Sequence, residues 1–66
     1  MEKNANQDQL RQRLLNLIDK QPQSIKNLSK EIGVHELTLR NFLFKQQNVR
    51  FLTEKRILNY IQKNED

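Results

Sequence analysis

Two adjacent side chains, Arg40 and Asn41, are of types that can read the edges of DNA base pairs. A guanidinium can donate two hydrogen bonds to guanine in the major groove, and an amide can pair in the same bidentate way with adenine. Each such pair discriminates against a wrong base by about 1–3 kcal/mol. The alternative for both residues is plain exposure to solvent, and the position of each on its helix bears on which interpretation applies.

The apolar pattern around these residues predicts a helix with one buried face. At 100° per residue, Phe42 and Leu43 lie within about 60° of Leu39. If these three side chains are buried, the outward side carries the four remaining residues Leu37, Arg40, Asn41 and Phe44. The predicted helix therefore presents both candidate base-reading residues to the outside.

The residues at the two ends of this helix have both structural and DNA-contacting interpretations. Glu36 either accepts a hydrogen bond from cytosine or complements the helix dipole in the first turn. His35 is either the N-cap or a phosphate contact. Leu37 packs either on a thymine methyl group or against the end of another helix. Phe44 either tucks under the following loop or joins a subunit interface. The candidate base-reading residues are Arg40, Asn41, Glu36 and Leu37.

A second amphipathic helix precedes this one, and the only glycine of the sequence separates the two. Ile25, Leu28 and Ile32 recur at i, i+3 and i+7, which predicts one apolar helical face. Gly33 can take φ > 0 at little steric cost, so the helix can end there. Ser29 is small enough to let another helix cross nearby. The pattern predicts a helix-turn-helix unit.

This segment resembles the helix-turn-helix of phage repressor and Cro-type regulators, the Xre-like group. The resemblance rests on an aliphatic–small pair, an aliphatic–glycine–aliphatic triplet and two apolar residues of the second helix, which are Leu28-Ser29, Ile32-Gly33-Val34, and Leu39 with Phe42. It continues through FLFKQQNVRFLTEKRILNYI and covers most of residues 24–61. The resemblance implies sequence-specific DNA binding, with Arg40 and Asn41 as base readers.

Basic and amide side chains flank the predicted helix pair. Between Leu37 and Thr53 the ionised residues are all basic, namely Arg40, Lys45 and Arg50. This basic zone is either a phosphate-facing surface or an ordinary solvated face. In helix-turn-helix docking the first helix crosses the DNA backbone and the second enters the groove. The predicted phosphate contacts are Ser24, Lys26, Asn27, His35, Thr38, Lys45, Gln46, Gln47, Asn48 and Arg50.

Apolar stripes on both sides predict further helices. Asp8 suits the N-cap of a first helix, which ends before Pro22 because the residue preceding a proline is pushed out of the α region. Thr53 suits the N-cap of a last helix, with Leu52 and Ile57 as a hydrophobic staple. The segment VRFL is alternatively a short strand, or the Val49 region an extra turn. The predicted core is Leu10, Leu14, Leu17, Ile18, Ile25, Leu28, Ile32, Val34, Leu39, Phe42, Leu43, Leu52, Ile57, Leu58 and Ile61.

The predicted fold is therefore all-α, with four to five helices around a central helix-turn-helix. The expected helices cover about 8–20, 25–32, 35–44 and 54–63. With 66 residues, the chain is predicted to form one domain over 1–66. Residues 1–7 and 64–66 are predicted to be disordered.

Composition argues against catalysis, cofactors and membranes. The sequence has no cysteine and one histidine, which argues against thiolate or multi-histidine metal sites. It contains no paired carboxylates, no Ser-His-Asp arrangement and no phosphate-cradling glycine loop. It also lacks a signal-peptide pattern and the ~20 apolar residues of a membrane span. We therefore expect a cytoplasmic protein that is not an enzyme and needs no cofactor or small-molecule ligand.

Two hypotheses for function follow. The first is a repressor-like transcription regulator of phage, plasmid or other mobile-element type, acting in a bacterial or phage-infected cell in association with the nucleoid. It would bind double-stranded DNA as a homodimer, on a palindromic operator with half-sites about 34 Å apart. The alternative is a small protein-interaction module, an antirepressor or adaptor, in which Leu37 and Phe44 are the working residues. Steep salt dependence of DNA binding would separate the two.

Overall fold

The computed structural model describes residues 2–65, and the side chains of residues 7–65. This part of the chain forms four helices, which are α1 (Glu2–Lys20), α2 (Ile25–Ile32), α3 (Glu36–Phe44) and α4 (Phe51–Asn64). Helix α1 packs on α3 and α4, and α2 packs on the same two helices. The prediction of a small all-α domain is confirmed. None of the described helices has the length and apolar character that crossing a membrane requires.

The core is one cluster of aliphatic side chains from all four helices, with Phe42 as its aromatic member. Its buried residues are Leu10, Leu14, Leu17, Leu28, Ile32, Leu39, Phe42, Leu43, Ile57 and Ile61. Four other predicted core residues, Ile18, Ile25, Val34 and Leu58, are partly buried at its edge. The prediction for Leu52 is wrong, because its side chain is 71% exposed.

Helix α1 begins at Glu2, so the expected start at Asp8 is wrong. Gln7 and Arg11 explain the difference, because both are buried although they are polar. They continue the face of Leu14 toward the N-terminus at helical spacing, and apolar periodicity alone does not register them. The predicted disorder of residues 1–7 does not extend to Gln7, which is hydrogen-bonded to Val49. Met1 lies outside the described residues.

The turn between α2 and α3 is set by local signals in the sequence. Ser24 is the N-cap of α2, and its hydroxyl accepts a hydrogen bond from the Asn27 amide at 3.0 Å. Gly33 ends α2 with φ 89°, in the left-handed region that an L-residue occupies at a cost of roughly 1–2 kcal/mol. The amides of Gly33 and Val34 both donate to the carbonyl of Ser29. The small Ser29 side chain is itself buried, as a close approach of neighbouring helices requires.

Gly33→Ala is expected to destabilise the domain by about 1 kcal/mol, the left-handed backbone cost less the entropy removed from the unfolded chain. A Cβ at this position would meet only Arg56 Nη1 at 3.5 Å, an ordinary contact, so the cost is conformational and not steric. Gly33→Asn should lose less stability, because asparagine tolerates this region better. Urea unfolding of the three proteins checks the order glycine, asparagine, alanine; equal midpoints for glycine and alanine would contradict it.

Helix α4 begins at Phe51, three residues before the expected start. Arg50 is its N-cap residue, and the amide of Glu54 donates to the Arg50 carbonyl at 2.8 Å. The predictions of Thr53 as N-cap and of Leu52 in a staple are therefore wrong. The alternative of a strand at VRFL is also wrong, because Phe51 and Leu52 are helical. Val49 lies outside the helices and does not start an extra turn.

Side-chain pairs tie the C-terminal half of the chain to the rest. Arg13 binds the carboxylate of Glu65 through two hydrogen bonds of 2.9 and 2.7 Å. This bonding lowers the pKa of Glu65, so the pair stabilises the fold above the ordinary pKa of a glutamate and is lost as the pH falls through the lowered value. The predicted disorder of residues 64–66 therefore does not extend to Glu65, while Asp66 lies outside the described residues.

Candidate nucleic-acid interface

Helix α3 has one fully buried face and one exposed face. Leu39 and Phe42 are both 0% exposed and Leu43 is 4% exposed, as the helical spacing predicted. Leu37 and Arg40 are exposed, and Asn41 is half-buried. Arg40 therefore faces away from the core as predicted and Asn41 does so only in part, whereas their reading of bases stays a prediction.

Arg40 is held by its neighbour one turn earlier on the same helix. Its Nη2 lies 2.9 Å from Oε2 of Glu36, and both side chains are substantially exposed. Exposed pairs of this kind contribute about 0.2–1 kcal/mol, less than the 1–3 kcal/mol of a bidentate guanine contact. The pair therefore orients Arg40 in the free protein without preventing its transfer to a base edge.

The structure decides between the alternative structural roles that the sequence left open for His35, Leu37 and Phe44. His35 is the N-cap, with Nδ1 accepting from the Leu37 amide at 3.3 Å. Leu37 is 58% exposed, so the expectation that it packs against the end of another helix is wrong. Phe44 is 62% exposed, so it does not tuck under the following loop. Both apolar residues lie on the outer side of α3, where they are available to a partner molecule.

The connector between α3 and α4, residues 45–50, runs back along α3. It leaves the helix through Gln46, whose φ of 56° reverses the chain direction. The connector faces Thr38 and Asn41 across an open cleft of about 410 Å³ with a polar lining. That volume lies at the lower end of the range for ligand pockets, but such pockets are mostly apolar and enclose their ligand. The cleft therefore does not have the form of an enclosed small-molecule site.

Five of the predicted phosphate contacts share this connector. Lys45, Gln46, Gln47, Asn48 and Arg50 are all exposed. Gln47, Asn48 and Arg50 line the same cleft as Thr38 and Asn41, so the structure brings these candidates together beside α3. Their contacts with phosphate stay a prediction.

The remaining predicted phosphate contacts lie at the start of α2. Ser24 and Asn27 are engaged locally, since the backbone amide of Asn27 donates to the Ser24 hydroxyl and the Asn27 side-chain amide donates to Gln23 Oε1 at 2.5 Å. Lys26 is exposed beside them. These three residues lie at the N-terminal end of α2, and α2 packs on α3. They form a second, separate group of candidates.

Two buried polar residues that support the connector were not predicted. Arg11 is 5% exposed and Gln7 is 7% exposed, and both are on α1. Arg11 contacts carbonyl groups of α3 and the connector, and Gln7 contacts the backbone of Val49. The signal in the sequence was their spacing, because residues 7, 11, 14 and 18 fall on one helical face.

The start of α4 adds an apolar edge to this side of the molecule. Phe51 is 69% exposed and Leu52 is 71% exposed, and both line a shallow cleft with Val34 and His35. Arg56 closes the cleft by donating to the Gly33 carbonyl at 2.6 Å. Large exposed apolar side chains next to one another mark a surface suited to association with another molecule.

Comparison of the chain with protein-family models, with curated proteins and with solved structures finds no match. The functional argument therefore depends on the residues and geometry of the site.

Proposed function

We propose that this protein binds double-stranded DNA in a sequence-specific way and acts as a repressor-like transcription regulator. Helix α3 enters the major groove, with Arg40 and Asn41 as the main base-reading residues and with Glu36 and Leu37 beside them. The observation that carries the proposal is the outer face of α3, which presents a guanidinium, an amide and an aliphatic group on a helix held rigidly by its opposite face.

The surroundings of α3 support this proposal. A groove-binding helix needs phosphate contacts beside it to fix its register, and these contacts supply much of the affinity. The connector provides Lys45 and Arg50 together with three amide side chains, without an acidic residue. Ser24, Lys26 and Asn27 would contact the backbone from the start of α2, as the first helix of such a pair does. The resemblance to phage repressor and Cro-type regulators agrees with this arrangement.

A homodimer is part of the same proposal. One small module reads few base pairs, and a two-fold dimer doubles the site on a palindromic operator with half-sites about 34 Å apart. Phe44 and Phe51 are exposed and available for such an interface, whereas Tyr60 already hydrogen-bonds Gln23 and Glu31. A phage, plasmid or other mobile element in a bacterial cell would be the setting, with the protein in the cytoplasm on nucleoid DNA.

Selection of bound duplexes from a random pool tests the proposal directly. We expect a recovered consensus, and we expect it to be palindromic if the protein binds as a dimer. Titration of that duplex at several salt concentrations should give a straight line of log affinity against log salt, with a slope of about −0.9 for each phosphate contacted. A pool that yields no consensus, together with binding that does not change with salt, would contradict the proposal.

A protein-interaction module is the second candidate, and a specific observation favours it. Leu37, Phe44, Phe51 and Leu52 are each more than half exposed, and exposed apolar side chains that adjoin one another mark sites of association. An antirepressor or adaptor would use them as apolar anchors for a protein partner. Such binding would depend little on salt, and substitution of Leu37 and Phe44 by serine should abolish it.

A further inference from the structure

We propose that Arg11 and Gln7 of α1 are positioning residues for the DNA-contacting surface. They hold the connector (residues 45–50) in place beside α3 and set the affinity for the phosphate backbone without touching DNA themselves. This inference rests on the proposed function, but it makes a statement about the connector that can also be measured without DNA.

Arg11 joins the end of α3 to the connector. Its Nε donates to the carbonyl of Phe42 at 2.5 Å, and its Nη2 donates to the carbonyl of Gln47 at 3.4 Å. The third donor, Nη1, pairs with Asp8 on the same helix, and the guanidinium lies 4.7 Å above the centre of the Phe42 ring. The Phe42 carbonyl belongs to the last turn of α3, where a cation is favoured by the helix dipole.

Gln7 holds the connector two residues further along. Its Nε2 donates to the carbonyl of Val49 at 3.0 Å, and its Oε1 accepts from the amide of Val49 at 2.9 Å. The side-chain amide therefore pairs with both backbone groups of one residue, as a neighbouring strand would. The same Nε2 lies 3.2 Å from Oε1 of Glu54, so Gln7 also connects the first turn of α4.

Stability alone does not require a charged side chain at the buried position of Arg11. Replacing a buried ionic group by an apolar side chain of similar volume is often neutral or stabilising, because burial of a charge carries a desolvation penalty. A planar guanidinium holds its donors in fixed directions, so its hydrogen bonds fix the relative positions of the groups that accept them. Here the partners are the end of α3 and the segment that carries Lys45 and Arg50. Their relative position determines whether base and phosphate contacts can form together.

The first test uses paired substitutions of α1. Arg11→Met removes the guanidinium and with it the fork formed by its planar set of donors. Arg13→Met is the matched control. It removes the same group from the same helix, but Arg13 pairs with Glu65 and not with the connector. At equal salt we expect Arg11→Met to bind the selected duplex about tenfold more weakly, with a salt slope smaller by roughly 0.9–1.8 for one or two lost phosphate contacts. Arg13→Met should keep the slope of the unchanged protein. Arg11→Lys, which retains the charge but not the fork, should resemble Arg11→Met.

The second test does not require DNA. In Gln7→Leu the Val49 amide loses its acceptor, so its hydrogen exchange should accelerate by about tenfold, while amides in the centres of α1 and α4 keep their rates. Gln9→Leu, at an exposed position of the same helix, should change neither. Gln7→Leu also replaces Arg11→Met as the binding test if circular dichroism shows that Arg11→Met does not fold.

The outcomes are distinct. If the unchanged protein binds no duplex, the proposed function fails, and unaltered Val49 exchange in Gln7→Leu would then also overturn the positioning role. If the unchanged protein binds DNA but Arg11→Met and Arg13→Met lose equal affinity with equal slopes, charge and not positioning is responsible. Full binding by Arg11→Lys would overturn the role of the fork in the same way.

Discussion

Phe42→Ala is expected to lower the free energy of unfolding of the domain by about 3–5 kcal/mol. Phe42 is 0% exposed and lies in the cluster that joins all four helices. Truncation of a buried phenylalanine costs about 3–5 kcal/mol, and a domain of this size has a total stability of roughly 3–10 kcal/mol. The guanidinium of Arg11 also lies over the Phe42 ring, and the substitution removes this cation–π contact.

Phe44→Ala is the matched control for this prediction. It makes the same change two residues later on the same helix, at a side chain that is 62% exposed. Surface substitutions of this kind usually change stability by less than about 0.5 kcal/mol. Urea unfolding followed by far-ultraviolet circular dichroism measures both variants. Equal loss of stability in the two would show that the packing of α3 differs from the one described.

The combined change Arg40→Ala and Asn41→Ala is expected to abolish the preference for the selected duplex. Each bidentate contact contributes about 1–3 kcal/mol of discrimination, so the ratio of specific to non-specific affinity should fall at least about fivefold if one contact forms and at least about thirtyfold if both form. Non-specific affinity should fall less, because only the charge of Arg40 is removed from the phosphate-facing surface. Loss of the exposed pair with Glu36 should have little effect on folding.

Arg13→Ala with Asn16→Ala provides the matched control. It removes the same two residue types from exposed or half-exposed positions of α1, where Arg13 pairs with Glu65 and Asn16 accepts from Gln12. Binding of the selected and of an unrelated duplex is measured for both double variants at one salt concentration. If the α1 variant loses the preference as well, or if the α3 variant retains it, α3 does not read the bases.

Local signals were sufficient to predict α2, α3 and the turn between them. Ser24 and Gly33 mark the ends of α2 through a side-chain cap and a left-handed backbone, and both effects operate within a few residues. The apolar spacing of Leu39, Phe42 and Leu43 predicted which side of α3 is buried. Exposure of Arg40 followed from the same geometry.

The errors arose where burial is decided by distant partners. Gln7 and Arg11 are buried because the connector, more than thirty residues away, supplies carbonyl and amide groups for their polar atoms. Leu52 is exposed although its spacing fits a staple, because α4 begins at Phe51 and turns that side chain outward. The spacing of Gln7 and Arg11 places them on the buried face of α1, but the apolar periodicity of one segment does not show that polar partners lie there or where α4 begins.

The amino-acid sequence by itself determined that four segments of the chain are helical, the turn at Gly33 and the residues on the outer face of α3, since periodicity, caps and a single glycine act over short distances along the chain. The tertiary structure alone decided where the connector lies, which polar residues of α1 hold it, and how much of Leu37, Phe44, Phe51 and Leu52 is exposed. These features depend on hydrogen bonds and packing between segments far apart in sequence, for which local pattern carries no information.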